Sequence, residues 1–298
     1  MLLKQTACAA LLLQSVLISS GTCAEKRTAP RKPDVVTKKV YVNGRRGKIP
    51  VLISRKNDAK PRPAIIFLSG APGTLRSCTK FVEGLPAKGF VGVTYEPRTR
   101  GERPVKIPKP YSIGRAIIIE QIEPTARDIT PVLDYLQKQP YVLPDRIGMG
   151  GHSAGGMATI LACTYDHRLA AGASVCSSGH FVDVSGRLNK PAAFLFHIAY
   201  GSKFGLKLSQ EEKKTLQRID PMARADKLHP VPFFFGAGSK DTLVLSRDVK
   251  SLYERALPYY RDAPERLVYR EMDCPHAGPK LEPLLQEAFA FLEKHLKQ

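Results

Sequence analysis

A serine in the pattern Gly-x-Ser-x-Gly is the strongest chemical signal in the sequence. Residues 151–155 read Gly-His-Ser-Ala-Gly and join the strand-like run 146–150 to the apolar stretch 157–163. A serine on a tight turn between a strand and a helix exposes its hydroxyl, and glycines on either side let the backbone pass closely. The helix that follows points N–H groups toward a negative charge that develops beside the serine. The pattern predicts that Ser153 is a nucleophile rather than part of an ordinary turn.

A serine nucleophile needs a base, and the base needs a group that orients it. Asp241 follows the apolar run 233–235 and a glycine-rich turn, and His276 lies in the loop before the last predicted helix. In a parallel sheet both positions fall at the strand ends that also carry the serine, so Asp241 and His276 are predicted as its partners. Asp183, in the loop after another strand-like run, is the alternative acid.

The remaining histidines and a neighbouring acid are predicted to have other roles. His152 precedes the serine and is expected to pack beside it rather than act as the base. Asp273 lies too close to His276 along the chain to orient it easily. The other histidines do not stand at strand ends and are expected on the surface or in an inserted segment: His167, His180, His197, His229 and His295.

A glycine- and proline-containing turn, residues 69–73, follows the first central strand-like run at 64–68. Backbone N–H groups must stabilise the oxyanion that forms when a serine attacks a carbonyl group. The position of this turn, and the start of the helix after the serine, predict the N–H groups of Ala71 and Ala154 as the donor pair. The alternative is a turn that only changes the direction of the chain.

Strand-like runs and helical segments alternate along the chain, and they must position these groups. The runs are 64–68, 90–95, 146–150, 170–176, 231–235 and 266–269, and two further strands joined by a turn at Asn43-Gly44 precede them. Apolar residues recur at helical spacing within 129–136, 249–256 and 281–288. The alternation predicts an α/β fold with a doubly wound, mostly parallel sheet. Residues 177–225 interrupt it and are predicted to be a short cap or lid insertion, here called the cap segment.

The composition is that of a globular chain of enzyme size, with 298 residues, 43% hydrophobic and 24% charged. These fractions exclude a disordered chain and a protein with many membrane spans. The formal net charge is +19, and thirteen Lys and Arg face three acidic residues between residues 25 and 63. No nucleic-acid motif accompanies this charge, so nucleic acid is not an expected partner. Residues 25–62 are expected either to contact an anionic envelope surface electrostatically or to form a solvated surface.

The first 24 residues have the layout of a secretory signal peptide. Lys4 precedes the short apolar run 9–18, and small residues end at Ala24, where cleavage is expected. Lipid attachment at Cys23 is not expected, because residues 20–22 match the bacterial lipoprotein signal poorly. The sequence therefore predicts a secreted or periplasmic protein with a basic linker at 25–35 and a folded domain at 36–298.

Four cysteines remain in the expected mature chain: Cys78, Cys163, Cys176 and Cys274. An exported protein can oxidise them, and they allow three pairings, but isolated buried thiols fit the sequence equally well. Their spacing is not that of zinc ligands. No metal and no cofactor is expected, because a serine, a base and an acid suffice for the predicted chemistry.

Together these motifs resemble the α/β-hydrolases, and among them the branch of dienelactone hydrolases and prolyl-oligopeptidase catalytic domains. Residues 145–156 are similar to the serine region of that branch, residues 241–244 to its acid loop, and residues 69–73 to its His-Gly-Gly-Pro-Gly turn. The resemblance extends from about Val35 to Leu296. It implies the α/β-hydrolase fold, Ser-Asp-His machinery and hydrolytic activity.

Departures from that branch narrow the expected reaction. Dienelactone hydrolases carry Cys where Ser153 stands, and the turn has Ser69 and Ala71 where His and Gly are usual. Too few residues precede the first central strand-like run to form the large propeller of the peptidases. We therefore expect a hydrolase that cleaves a small-molecule carboxylic ester with a small or medium acyl chain. A serine peptidase and a catalytically inactive envelope-binding protein are the alternatives.

Overall fold

The computed structural model describes residues 34–298, which form one eight-stranded sheet flanked by helices. The order across the sheet is β1-β2-β4-β3-β5-β6-β7-β8, with β3 to β8 parallel and β2 antiparallel to both of its neighbours. This is the predicted doubly wound, mostly parallel sheet of the α/β-hydrolase fold. The strands are β1 (Val35–Gly44), β2 (Gly47–Lys56), β3 (Arg62–Leu68), β4 (Val91–Tyr95), β5 (Val142–His152), β6 (Ala171–Val175), β7 (Phe233–Gly238) and β8 (Leu267–Met272).

Helices occupy the connections between the parallel strands. They are α1 (Thr79–Gly84), a π-helical segment (Arg115–Ile122), α2 (Glu123–Arg127), α3 (Ile129–Leu136), α4 (Ala154–Tyr165), α5 (Phe181–Leu188), α6 (Phe194–Tyr200), α7 (Gln210–Ile219), α8 (Ser246–Ala256) and α9 (Glu282–Lys297). Short 3₁₀ turns add to these at Leu75–Cys78, Leu85–Lys88, Pro191–Ala193, Pro221–Leu228, Leu257–Tyr260, Pro264–Arg266 and Pro279–Leu281. The helical periodicity in the sequence therefore predicted α3, α8 and α9 at their observed places.

The core lies on both faces of the sheet. Every residue of β4 and of β6 is buried, which explains why these strands read as continuous apolar runs. One apolar cluster contains Met149 of β5 and Leu161 of α4. The other contains Phe234 of β7 and Leu284 of α9. Between these two layers the carboxyl ends of the parallel strands meet at a single edge, where the loops with the predicted chemical groups begin.

The β1–β2 hairpin divides the basic residues of its segment between two edges of the sheet. Since β2 runs antiparallel to β4 and pairs Val51 with Tyr95, the hairpin turn lies at the carboxyl-end edge. Arg45, Arg46 and Lys48 belong to that turn or its flanks. Residues 55–62 lie at the opposite edge, where β3 begins. Residues 34–62 therefore do not present their charge as a single patch.

The cap segment is more regular than its polar, loop-rich sequence suggests, since it contains α5, α6 and α7 between β6 and β7. Asp220 organises the start of α5. Its Oδ2 accepts a hydrogen bond from the N–H of Phe181 at 2.7 Å, and its Oδ1 accepts one from Met222 at 2.8 Å. One buried carboxylate thus connects both ends of the cap segment.

The expectations for the N-terminus fall mostly outside the described residues. The predicted signal peptide, residues 1–24, lies there, and so do residues 25–33 of the predicted linker. β1 begins at Val35, the last residue assigned to that linker. Within 34–298, the four cysteines are buried and unpaired, and no helix is both long and apolar enough to cross a bilayer.

Candidate active site

Ser153 lies on a strained turn between β5 and α4. Its backbone angles are φ 54° and ψ −123°, a region that residues with side chains rarely adopt. The turn is tight enough that a Cβ on Gly155 would stand 2.2 Å from the carbonyl oxygen of Leu68. A Cβ on Gly70 would stand 2.9 Å from the Cβ of Ser153. Both glycines are therefore required by the close approach of the chain at Ser153, and for Gly155 this is what the motif predicts.

Ser153, His276 and Asp241 form one hydrogen-bonded chain. Nδ1 of His276 lies 2.6 Å from Oδ2 of Asp241, and Nε2 lies 2.8 Å from Oγ of Ser153. Because an ionised carboxylate only accepts hydrogen bonds, Nδ1 carries the proton and Nε2 is free to accept the one on the Ser153 hydroxyl. The structure thus brings together the three side chains that the sequence singled out, with His276 between Ser153 and Asp241.

Asp241 is held by its own loop. Its side chain is fully buried, and Oδ1 accepts hydrogen bonds from the N–H groups of Leu243 and Val244, both at 2.9 Å. Oδ2 is thereby left for His276. Asp183, the alternative acid, lies exposed in the first turn of α5 and makes no side-chain hydrogen bond within residues 34–298. The geometry therefore selects Asp241 as the partner of His276.

His152 has a positioning role that the sequence did not predict. Its Nε2 donates a hydrogen bond to the backbone carbonyl of His276 at 2.8 Å, and the two rings lie 5.1 Å apart. Burial of the His152 ring lowers its pKa to about 4, and the nearby His276 adds to this effect. The ring is therefore neutral at pH 7 and fixes the loop that carries His276. No signal local to residue 152 could have shown this contact across 124 residues.

Ser177 fixes the other side of the turn. Its hydroxyl lies 2.8 Å from the carbonyl oxygen of Ser153 and 2.9 Å from that of Val175. The N–H of Ser153 donates to the carbonyl of Val175 at 2.9 Å. The backbone of Ser153 is thus tied to the end of β6. These contacts, too, could not be read from the sequence.

Ala71 and Ala154 both line the pocket beside Ser153. Ala154 is the first residue of α4, so its N–H has no partner within the helix. Among the hydrogen bonds within 34–298, the N–H of Ala71 has no acceptor either. The predicted donor pair is therefore close to the serine and not occupied by other parts of this region.

An apolar pocket of about 400 Å³, counted with its open mouth, extends from Ser153 and His276. The side chains that line it come from three regions: the π-helical segment, the cap segment, and the start of α4 with the Asp241 loop. They are Ile117, Ile118, Ile122, Val184, Leu188, Phe196, Met157, Leu243 and Val244. Phe196 belongs to the apolar run 192–199 of the cap segment, which thus contributes to the pocket wall. The remaining wall residues were not predicted.

Two arginines of the loop after β4 are used for contacts within the protein. Arg103 is buried, and its Nη1 lies 2.5 Å from Oδ2 of Asp128 and 3.0 Å from the carbonyl of Glu96. Arg100 stacks its guanidinium 5.0 Å from the centre of the Tyr200 ring on α6. These two arginines therefore hold the loop in place and are not free to bind an incoming group.

His152, Cys176 and His276 place their donor atoms within 4.8 Å of one another. A metal would need the Cys176 thiolate, but burial raises the pKa of that thiol well above its usual range. Both ring nitrogens of His276 are already bonded to Asp241 and Ser153. The cluster does not fit a metal centre.

A parallel sheet with a serine on the turn after β5 and a histidine beside it defines a serine hydrolase of the α/β-hydrolase fold. The chain belongs to the prolyl oligopeptidase family, whose model matches residues 116–298. It is 25% identical over 226 residues to "Putative esterase YitV" of Bacillus subtilis (strain 168), covering 73% of this chain and 84% of that protein. The resemblance to this branch of hydrolases, predicted from the motifs, is confirmed.

Solved structures show the same fold. TT1662 from Thermus thermophilus superposes with a TM-score of 0.63 at 19% identity, covering 89% of this chain and 99% of that one. A puromycin-hydrolyzing peptidase of Mycobacterium tuberculosis gives a TM-score of 0.65 at 16% identity, covering 87% of this chain and 39% of that one. The shared fold therefore occurs both as nearly a whole chain and as part of a longer one.

Proposed function

We propose that this serine hydrolase cleaves carboxylic esters with a small or medium acyl chain, using Ser153, His276 and Asp241. The observation that carries the proposal is the 2.8 Å contact between Ser153 Oγ and His276 Nε2 at the end of an apolar pocket. The name of the related Bacillus subtilis protein, "Putative esterase YitV", supports the choice of ester.

In the proposed reaction, His276 Nε2 takes the proton of the Ser153 hydroxyl as Oγ attacks the carbonyl carbon of the ester. The N–H groups of Ala71 and Ala154 stabilise the negative charge on the former carbonyl oxygen. Asp241 stabilises the imidazolium, which then gives its proton to the departing alcohol. Water, activated by the same imidazole, attacks the acyl-enzyme, and the acid leaves as Ser153 regains its proton.

The pocket supports an apolar acyl group. Its lining side chains are aliphatic or aromatic apart from Ser153 and His276, and pockets of this kind bind apolar ligands. Among residues 34–298, no side chain that lines the pocket is acidic, so this part of the chain offers no carboxylate there for the free amino group that an aminopeptidase must recognise. Amide cleavage also requires efficient protonation of the leaving amine, so it demands a more effective proton donor than ester cleavage does.

A series of p-nitrophenyl esters of graded acyl length, measured beside prolyl and aminoacyl p-nitroanilides, tests the proposal. Acetyl and butyryl esters are expected to be turned over, and the anilides to be poor substrates. Ser153→Ala should lower kcat by about 10⁴-fold or more and abolish labelling by a fluorophosphonate. Ser251→Ala, on α8 outside the pocket, is the matched control and should keep full activity.

Two results would contradict the proposal in different ways. A higher kcat/KM for an anilide than for p-nitrophenyl acetate would make the protein a peptidase. Hydrolysis by Ser153→Ala within about tenfold of the parent would remove Ser153 from the mechanism.

We further propose that residues 1–24 direct export and that the enzyme acts outside the cytoplasm. The positive charge at Lys4, the apolar run 9–18 and the small residues before Glu25 support this proposal. The amino-terminal sequence of the protein recovered from its native cell envelope should begin at Glu25. A mature chain that begins at Met1 would contradict it.

A further inference from the structure

Helix α6 exposes large apolar side chains on the outer surface of the cap segment. Phe194, Leu195 and Ile198 are 47%, 47% and 64% exposed, and Phe204, just beyond the helix, is 41% exposed. The rings of Phe194 and Phe204 stack edge to face with their centres 5.3 Å apart. Because residues three and four apart lie side by side on a helix, these four side chains form one continuous surface, here called the cap face.

Contiguous exposed aromatic and aliphatic side chains on a folded protein indicate an interaction site. The charge around the cap face indicates the partner. Residues 184–210 contain four Lys or Arg and no acidic residue. Arg187 is paired with Asp248, whereas Lys190, Lys203 and Lys207 are exposed. A second copy of the same face would bring these charges together, which opposes self-association.

The positive charge continues beyond the cap segment along the same edge of the molecule. Arg100 contacts α6, and Nη1 of the nearby Arg98 donates to the carbonyl of Arg46 in the β1–β2 turn. The turn residues Arg45, Arg46 and Lys48 are exposed there. A surface with apolar side chains at its centre and cations around it has the composition of peripheral proteins that lie in the headgroup region of anionic bilayers.

We propose that the cap face docks on an anionic lipid surface, with Phe194, Leu195, Ile198 and Phe204 entering the interface. The exposed lysines of the cap segment and the exposed cations of the β1–β2 turn bind lipid headgroups. Phe196, on the same helix, lines the pocket that begins at Ser153. Docking therefore holds one wall of the pocket against the bilayer. The proposal concerns binding to lipid and does not depend on the proposed ester hydrolysis. Binding is therefore measured directly, and hydrolysis of p-nitrophenyl acetate is recorded separately.

The chain contains no tryptophan, so a single introduced indole reports its own surroundings. In the full-length protein, Ile198→Trp places it at the centre of the cap face, and Tyr259→Trp places it at a 46% exposed site in the turn Leu257–Tyr260. Vesicles of phosphatidylglycerol and phosphatidylcholine, some with brominated chains, are added at low salt. The indole at 198 should shift to the blue and be quenched by the bromines, while the indole at 259 should do neither. Pure phosphatidylcholine should give a weaker response at 198.

A second pair of variants measures binding without a reporter. Leu195→Ser with Ile198→Ser should lower partitioning onto the anionic vesicles by about tenfold or more, because both apolar side chains leave the interface. The matched control, Leu257→Ser with Tyr259→Ser, should partition like the parent. Both doubles change exposed side chains and should unfold at the parent temperature and hydrolyse dissolved p-nitrophenyl acetate at the parent rate.

Several outcomes would overturn the proposal. An indole at 198 that stays in water on anionic vesicles would do so, and so would parental partitioning of the Leu195→Ser, Ile198→Ser double. An indole already shifted to the blue without lipid would mean that another part of this chain covers the face. A parent that sediments as a dimer, with the double a monomer, would assign the face to self-association instead.

Discussion

At the scale of single residues, the contacts that matter most are those that hold His276. Its side chain is fixed by Asp241 and its backbone carbonyl by His152, so two residues from different loops set one imidazole ring. Hydrogen bonds of this kind choose the tautomer of the ring and its direction. The distance from Nε2 to Ser153 Oγ therefore depends on residues that never contact the substrate.

Replacing Asp241 by Asn should lower kcat by about 10³–10⁴-fold, because an amide can hold the imidazole in the wrong tautomer. KM for p-nitrophenyl acetate should change little, since Asp241 is buried away from the pocket. Asp183→Asn is the matched control and should retain kcat within about tenfold. A larger loss from Asp183→Asn than from Asp241→Asn would reverse the assignment of the acid.

The low pKa of His152 predicts a pH dependence of stability. The unfolded imidazole binds a proton below its ordinary value of 6.5, whereas the folded one does so only near 4. The stabilisation is therefore complete above pH 6.5 and is lost as the pH falls to about 4, by at most about 3 kcal/mol.

Urea unfolding of the parent and of His152→Asn, measured from pH 7 to pH 4, isolates this contribution. Other titrating groups cancel in the difference between the two proteins. The free energy of unfolding of the parent should exceed that of His152→Asn by less and less as the pH falls from about 6.5 to about 4. A difference that stays constant with pH would show that His152 is not held neutral by the fold.

At the scale of elements, the sequence predicted what depends on neighbours along the chain. The turn around Ser153, the acid loop and the His276 loop each combine a strand end with local turn residues, so all three were found. The π-helical segment was not, because three consecutive isoleucines at 117–119 have no helical or strand period. Its pocket-facing residues are determined by packing against α4 and the cap segment. The contacts of Ser177 and Asp220 were not predicted either, because their partners are distant in sequence.

The pair of Arg103 and Asp128 is one such long-range contact, and it joins the loop after β4 to the start of α3. Both side chains are nearly inaccessible, at 4% and 7% exposure, so removing one leaves the other buried without the opposite charge that it pairs with. Asp128→Ala should lower the free energy of unfolding by about 3–5 kcal/mol. Asp134→Ala, which breaks an ion pair whose carboxylate is 53% exposed, should cost less than about 1 kcal/mol.

Denaturant unfolding of both variants at pH 7 distinguishes the two kinds of ion pair. If the two variants lose equal free energies of unfolding, the Arg103 guanidinium must reach water when Asp128 is removed. The loop after β4 would then be looser than its contacts indicate, and its arginines would be available to ligands after all.

At the scale of the whole molecule, the net charge of +19 is distributed unevenly. β1 is an edge strand with a mostly exposed sequence, and its lysines protect that edge from pairing with other chains. Within residues 34–62, two of the cations form ion pairs with acidic residues of this chain. Lys39 pairs with Glu102, and Arg62 pairs with Asp58. The hairpin turn lies at the carboxyl-end edge with the cap face, whereas residues 55–62 lie at the other edge.

The separation of these cations between two edges allows a test of the two roles expected for residues 25–62, which are contact with an anionic envelope surface and a solvated surface. If the carboxyl-end edge meets an anionic envelope, reversing the turn charges with Arg45→Glu and Arg46→Glu should weaken binding to anionic vesicles by about 30-fold or more, since each cation near such a surface contributes about 1 kcal/mol. Lys56→Glu with Lys60→Glu makes the same change of charge at the opposite edge and should bind like the parent. Raising the salt concentration should reduce the difference between the two doubles, because it screens exposed charges. Equal weakening by both doubles would show that net charge alone governs the attraction, and unchanged binding by both would leave the basic residues as a solvated surface.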